Sequence, residues 1–259
     1  MKEKLSVVIP SRKHANQIDF LKRATESVKN QTMANRFDIT FRVGVDHECS
    51  LEPKHANTLG VICVESKSPG QAAALNAALS GVEEGYVAFL EDDDEWMPDF
   101  LKFASATVKH CDFVSSTQFE VNEAGELLRI NDFPTPSGWF MPVSTLKVVG
   151  SFSEAHRFHL DNEWLGRLAE KKMSRIHLVE STAPIHERYV RQVRPWLHNL
   201  LKNSAGYCRL ARHALPFPLV KRLIHSTSGM AMISTNEILQ KVSQDEQQKL
   251  IKRFGRIPW

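Results

Sequence analysis

The chain has 259 residues, 42% of them hydrophobic and 24% charged, with a formal net charge of +3. Those values describe an ordinary soluble globular protein with one large α/β domain, or one domain plus an appendage, and leave nucleic-acid binding undecided. The four cysteines, Cys49, Cys63, Cys111 and Cys208, form no C-x-x-C pair; they read as reduced, mostly buried thiols of a cytosolic protein, not as a disulfide frame or a zinc site. The N-terminal apolar run is too short for a signal peptide, and no later segment approaches the ~20 apolar residues of a membrane span, so the chain is expected to be soluble or to lie at most on a membrane surface.

Leu5-Ser-Val-Val-Ile9, ended by Pro10, predicts a buried strand. Ile18, Leu21, Ala24, Thr25 and Val28 recur at helical spacing. A second strand runs from Ile39 to Val45 and ends at Asp46, and a third from Leu59 to Val64 precedes the Ser68-Pro-Gly70 break. Gly70 to Val82 is an alanine-rich helix suited to close packing on a sheet, and Tyr86 to Leu90 is a fourth strand. This order implies a mostly parallel central sheet flanked by helices, with ligands bound outside the carboxyl ends of the strands. Asp46 and Asp92-Asp93-Asp94 sit at two such ends. Further on, Asp112 to Val121 and Leu127 to Ile130 flank a hairpin turn at Asn122–Gly125; residues 160–171 predict a helix, and Arg175 to Val179 a short strand.

Three consecutive aspartates repel one another unless a cation neutralises them, and hard carboxylate oxygens favour Mg²⁺ or Mn²⁺ completed by substrate phosphates. The alternative for such a stretch is a solvated acidic turn that caps a helix starting near Pro98. The surrounding residues decide between them. Tyr86-Val-Ala-Phe-Leu-Glu-Asp-Asp-Asp-Glu-Trp-Met-Pro-Asp-Phe-Leu101 resembles the signature of family 2 glycosyltransferases of the GT-A fold; Gly85, Leu90, Asp92, Asp93, Asp94, Trp96, Pro98 and Leu101 match, and Glu91 replaces an aspartate. The opening Leu5-Ser-Val-Val-Ile-Pro-Ser11 is similar to the family's first strand, Ser27-Val-Lys-Asn-Gln-Thr32 to its S-V-x-x-Q-T helix end, and Gly70-x-x-x-Ala74-x-Asn76 to its G-x-x-x-A-R-N helix.

The resemblance implies a nucleotide-sugar site, with a UDP-sugar favoured, formed by Pro10, Ser11, Arg12, Asp46, Gly70, Asn76, Asp92 and Asp93. Asp46 would contact the base or ribose and Asp92 the ribose; Arg12 stands where an aromatic often stacks on the base, and His47 where a second aspartate often follows. Asp93 or Asp94 would hold Mn²⁺ or Mg²⁺ at the diphosphate, joined by His186. His159-Leu-Asp161-Asn-Glu163-Trp-Leu-Gly-Arg167-Leu168 resembles the helix that carries the catalytic base, which places that role on Asp161, although the usual preceding glutamate is Leu160. The segment Gly138 to Phe152 resembles the stretch before that helix; Trp139 and Phe140 are expected either to stack on an acceptor sugar or to be core, and Glu163 is the fallback for the base and a candidate acceptor contact. The implied reaction is a single displacement with inversion, with Asp161 accepting the proton of the acceptor hydroxyl and the metal neutralising the departing diphosphate. Bacterial-type surface polysaccharide or glycoconjugate synthesis is the expected setting, in the cytoplasm or at the inner face of the membrane.

The familiar pattern covers residues 5–190, so a GT-A glycosyltransferase domain is expected over residues 1–190 and a basic, mainly helical C-terminal extension over residues 191–259. From Arg188 to His225 there is no acid, against Arg188, Arg191, Arg194, Lys202, Arg209, Arg212, Lys221 and Arg222. That stretch suits a peripheral membrane contact or a lipid-linked, sugar or other hydroxyl acceptor; alternatively it packs on the core with its arginines solvated or facing the site's acids. No nucleic-acid motif accompanies it. Ser234 to Phe254 predicts a closing helix that could serve a homodimer. Two rival functions remain: a nucleotidyltransferase, disfavoured because Pro10-Ser-Arg-Lys-His-Ala-Asn16 lacks a glycine-rich phosphate loop, and a catalytically impaired nucleotide-sugar-binding protein, kept open by Leu160 and His47.

Overall fold

A computed structural model describes residues 2–12, 16–47, 51–180, 210–215, 217–226 and 228–255. His186 and residues 188–209 of the basic stretch lie outside the described residues. The chain forms an eight-stranded sheet in the order β11-β10-β6-β9-β4-β1-β2-β3. Its strands are β1 (Glu3–Ser11), β2 (Phe37–Val45), β3 (Val61–Glu65), β4 (Tyr86–Phe89), β6 (Phe113–Ser116), β9 (Phe140–Pro142), β10 (Arg175–Glu180) and β11 (Leu210–Leu215). All neighbours are parallel except β9, which runs antiparallel between β4 and β6. The expected mixed α/β architecture with a mostly parallel sheet is therefore present.

The unbroken apolar run of β1 follows from burial on both faces. Leu5, Val7 and Ile9 point into one core with Leu21, Ala24 and Val28 of α1 (Gln17–Lys29) and Phe100, Leu101 and Ala104 of α4 (Phe100–Thr107). Val8 points the other way, into a core with α3 (Gln71–Leu79), α5 (Val143–Val149) and α6 (Leu160–Glu170). Strand β4 repeats the alternation, with Ala88 on the first side and Val87 and Phe89 on the second.

Alanine in α3 lets its backbone approach β2 closely. A Cβ built on Gly44 would lie 1.8 Å from the carbonyl oxygen of Ala74, so only glycine fits there. Gly44→Ala should push α3 off the sheet and lower stability by at least about 1–3 kcal/mol. An unchanged urea midpoint would show that this contact is looser than described.

Two local expectations are corrected. The third strand begins at Val61 and not at Leu59, because Pro53–Leu59 forms a short helix, α2, closed by Gly60 in the left-handed region at φ 70°. The predicted strand from Asp112 to Val121 changes sheets at Thr117. Its second part, β7 (Gln118–Val121), joins β5 (Glu95–Trp96), β8 (Leu127–Asn131) and β12 (Val220–Leu223) in a four-stranded sheet ordered β5-β12-β7-β8. The predicted hairpin is the antiparallel β7–β8 pair.

Beyond residue 190 the described residues include two helices, α7 (Gly229–Thr235) and α8 (Glu237–Phe254). They also include β11 and β12, one in each sheet, which an expectation of mainly helical structure did not provide for. Among the described residues no helix is long and apolar enough to cross a membrane. Cys63 and Cys111 are half-buried, and Cys111 Sγ donates to the Thr107 and Phe113 carbonyls.

Candidate functional site

The carboxyl ends of β1, β2 and β4 meet in one crevice. Ser11, the last residue of β1, donates from Oγ to Asp92 Oδ2 at 2.7 Å, and its carbonyl accepts the Asp46 N–H at 3.0 Å. Gln17 at the start of α1 donates to the same Ser11 hydroxyl at 3.0 Å. Asp46 Oδ1 accepts the N–H of Gly70 at 2.8 Å and of His47 at 2.9 Å, which fixes the loop entering α3 against the end of β2. Ser11, Asp46, Gly70 and Asp92, four residues expected at the donor site, are thus joined by direct hydrogen bonds.

The segment after β4 is held by the end of α1 and the residues that follow it. Ser27 Oγ accepts the Trp96 N–H at 3.1 Å. Gln31 donates to the Met97 carbonyl at 2.8 Å and accepts the Leu101 N–H at 2.9 Å, and the Thr32 N–H reaches the Pro98 carbonyl at 2.9 Å. Trp96 is stacked on Phe100 at 4.2 Å between centroids, and its indole N–H donates to the Ser137 carbonyl at 2.7 Å. These contacts fasten the segment that follows the acidic turn.

Within that turn, one oxygen each of Glu91, Asp93 and Asp94 lie within 4.8 Å of one another. Asp94 is 1% exposed, and both its oxygens are engaged, Oδ2 by the Ser137 hydroxyl at 2.6 Å and Oδ1 by the Leu223 N–H at 3.1 Å. Asp93 Oδ2 is hydrogen-bonded to His225 Nε2 at 2.8 Å, and Gln71 Nε2 donates to Glu91 Oε1 at 2.7 Å. Burial pushes the Glu91 carboxyl up to about 7, opposed by the Arg222 guanidinium and reinforced by the charge of Asp93. Burial, Asp93 and Glu91 also raise Asp94 well above the ordinary carboxylate range. A cluster whose acids are this reluctant to ionise, made of hard oxygen donors, fits a divalent cation. Between the two aspartates left unranked in sequence, Asp93 is the more open, because Asp94 is enclosed and serves both Ser137 and Leu223.

The sequence allowed arginines of the basic stretch to face the site's acids but did not single out which one faces this cluster. Arg222 on β12 donates to Glu120 Oε1 at 3.4 Å. Burial works against its charge, but Glu91, Asp94, Glu120 and Asp93 more than compensate. Lys221 beside it pairs with Glu95 at 3.0 Å. Two basic residues of the tail therefore face acids of the site. His186, the expected metal partner, lies outside the described residues, and His225 stands at Asp93. Neither His225 nor Arg222 has a local pattern around it that could have revealed this.

Asp161 lies in the first turn of α6, where the helix dipole favours an acid. Its Oδ1 accepts the Asn162 N–H at 2.7 Å. Burial raises its carboxyl despite the opposing Asn162 N–H and the charges of His159 and Arg222. Its own charge is among those that raise Glu91, so the two carboxyls share one electrostatic environment.

Four expected contacts are engaged elsewhere in the fold. Trp139 and Phe140 are fully buried; Trp139 packs against Phe113, Phe152 and Trp164, and Phe140 stacks on Tyr86 at 5.2 Å. Their aromatic area is spent in the core and cannot stack on a sugar. Glu163 is buried and paired with Arg167 at 2.9 Å and Arg253 at 3.0 Å, so it is a structural ion pair. Asn76 binds the Phe152 backbone twice, donating to its carbonyl at 2.9 Å and accepting its N–H at 2.8 Å, and so ties α3 to the loop before α6. Arg12, just past β1, is half-buried beside Ser11.

Residues 6–119 match the family described as glycosyl transferase family 2. The likeness to the family is confined to that segment. The segment contains Ser11, Asp46 and the whole acidic turn but neither Asp161 nor Arg222. Among curated proteins nothing matches. Among solved structures, S. aureus TarS residues 1–349 in complex with UDP-GlcNAc is 16% identical, with 93% of this chain covering 64% of that one at a TM-score of 0.57. S. aureus TarS is 14% identical over 98% of this chain and 43% of its own, with a TM-score of 0.55. TarS 1–349 in complex with UDP is 15% identical over 97% and 70%, with a TM-score of 0.53. At these identities the likeness is one of fold, the GT-A fold implied by the family 2 signature. The chain spans less than two thirds of the length of the first two of these structures.

Proposed function

We propose that this chain transfers a sugar from a nucleotide-diphosphate sugar, a UDP-sugar by preference, to an acceptor hydroxyl with inversion at the anomeric carbon. The observation that supports the proposal is the hydrogen-bonded meeting of Asp46 and Asp92 at the strand ends beside the Glu91–Asp93–Asp94 cluster, with Asp161 near enough for its charge to act on Glu91. The TarS structures of similar fold that hold UDP-GlcNAc and UDP favour a uridine donor.

The residues act as follows. Asp46 and Asp92, fixed by Gly70 and Ser11, accept hydrogen bonds from the nucleoside. Asp93, with Glu91 and Asp94 beside it, would hold Mn²⁺ or Mg²⁺, which supplies positive charge to the leaving diphosphate. Arg222 offsets part of the cluster's charge from the opposite side. Asp161 Oδ2 takes the proton of the acceptor hydroxyl as its oxygen attacks the anomeric carbon and the C–O bond to the diphosphate breaks. One displacement with one base inverts the centre.

The division at residue 190 stands as a functional proposal. The donor contacts and the base precede it, and residues 219–225 close the acidic turn from the other side. A cytoplasmic enzyme of surface glycoconjugate synthesis, resting on the inner membrane face through residues of the 188–225 stretch other than the inward-facing Lys221 and Arg222, fits the basic stretch. Thermal-shift titration with UDP-, GDP- and dTDP-sugars, with and without Mn²⁺, tests the donor assignment. A shift with UDP-sugars that grows with Mn²⁺ is expected; no shift with any nucleotide sugar would overturn it.

A further inference from the structure

Helix α8, which closes the chain, takes no part in the reaction just described, yet it is bonded repeatedly to the segment that carries Asp161. Glu246 on α8 is 4% exposed. Its Oε1 accepts the Arg157 N–H at 2.7 Å, and its Oε2 accepts those of Phe158 at 2.9 Å and His159 at 3.1 Å. A buried carboxylate is expensive unless donors replace its hydration, and the backbone supplies them here. On the same face of α8, Ser243 Oγ meets His159 Nε2 at 3.0 Å. At the far end, Arg253 donates to Glu163 and to Glu170, both at 3.0 Å. The Phe254 ring fills the space beside Gly166, where a Cβ would fall 2.5 Å from it.

The three amides bound by Glu246 immediately precede α6. His159 is the helix's N-cap residue, and its own side chain makes no capping bond. The direction in which α6 leaves the loop is therefore set by a side chain 87 positions away. Asp161 follows two residues later, with its carboxylate tied to the first helical turn through the Asn162 N–H. Any rotation of that turn moves Oδ2 by a similar distance, and proton transfer tolerates little misplacement.

We infer that Glu246 is a positioning residue for Asp161, with α8 acting as an external clamp on the first turn of α6. The inference rests on Asp161 being the base. Its test uses UDP release from UDP-GlcNAc and other UDP-sugars with Mn²⁺, and UDP affinity by calorimetry, on the full chain. Glu246→Gln keeps the shape but sets an amide N–H₂ or a weaker acceptor against three N–H donors. It should lower kcat roughly 10- to 100-fold with UDP affinity unchanged. In the Asp161→Asn background the same change should lower the residual rate no further. Ser243→Ala, at a half-buried surface position, should give a smaller fall in kcat of the same kind and serves if Glu246→Gln fails to fold. Equal losses in both backgrounds, a loss of UDP affinity in proportion to kcat, or wild-type kcat in the folded variants would each overturn the inference. Wild-type turnover in Asp161→Asn alone would instead remove the base on which it rests.

Discussion

Asparagine at position 161 is expected to lower turnover by about 10²- to 10⁴-fold, the scale of a lost general base, while UDP affinity stays unchanged. The substitution is nearly isosteric, and the amide oxygen can still accept the Asn162 N–H that fixes the side chain. What is lost is the ability to take a proton. Because burial raises the Asp161 carboxyl, the wild-type base should bind protons more readily than a free aspartate. The acid limb of the pH–rate profile should therefore lie above the ordinary aspartate value, with the rate falling as pH drops through it. Steady-state UDP release across pH, with calorimetry of UDP binding to both proteins, checks both points. An Asp161→Asn protein with wild-type turnover would exclude this residue as the base.

Arg222→Met carries the second large effect, on stability and not on chemistry. Removing the guanidinium leaves Glu91, Asp94 and Glu120 facing one another without it, on the order of 3 kcal/mol by the usual scale for breaking a largely buried pair. The direction with pH follows from Glu91, whose carboxyl stands at about 7 in the fold against an ordinary 4.5. A carboxyl raised by folding destabilises the fold above its folded value, and that penalty fades as pH falls from about 7 toward 4.5. Metal-free Arg222→Met should thus be least stable near pH 8 and should recover on acidification to about pH 5.5. Saturating Mn²⁺ should restore part of the loss at pH 8, because the cation neutralises the same acids. Chemical denaturation at the two pH values, with and without Mn²⁺, measures this. Equal stability of the two proteins at pH 8 would show that Arg222 is not the cluster's counter-charge.

How much of this was readable in the sequence depends on how locally each part is written. The nucleotide-binding half was legible because its signals are short and contiguous: a β-branched strand, an aspartate at its end, an alanine helix and an acidic turn with Trp96 and Pro98. The match to glycosyl transferase family 2 falls on that half, over residues 6–119. The S-V-x-x-Q-T helix end was visible as a resemblance, but its purpose, hydrogen-bonding the backbone of residues 96–101, required coordinates. Trp139 and Phe140 could not be resolved between sugar stacking and core by type alone, since both environments select flat apolar rings. Helix α2 was passed over because seven residues carry too little periodicity, although Pro53 at its start and Gly60 at its end were usable signals.

The contacts that complete the site come from far along the chain. Ser137, Arg222, Leu223 and His225 reach the acidic turn across 43 to 132 residues, and a single arginine or histidine at such a distance has no pattern around it. The basic stretch showed where charge was concentrated without showing its target. In the fold, Lys221 and Arg222 turn inward to the acids of β5, β7 and the turn. Composition had allowed that possibility beside a membrane surface; only the pairing of β12 with β5 and β7 distinguishes the two for these residues.

The acidic crevice is proposed to hold a nucleotide sugar in position for displacement at its anomeric carbon. The most direct test is UDP release from UDP-sugars by the wild-type chain with Mn²⁺, water standing in for the acceptor, beside the Asp161→Asn protein. Slow, Mn²⁺-stimulated release that falls by about 10²- to 10⁴-fold in the variant is the predicted result. No release above the blank from any UDP-, GDP- or dTDP-sugar by a folded wild-type protein would contradict it.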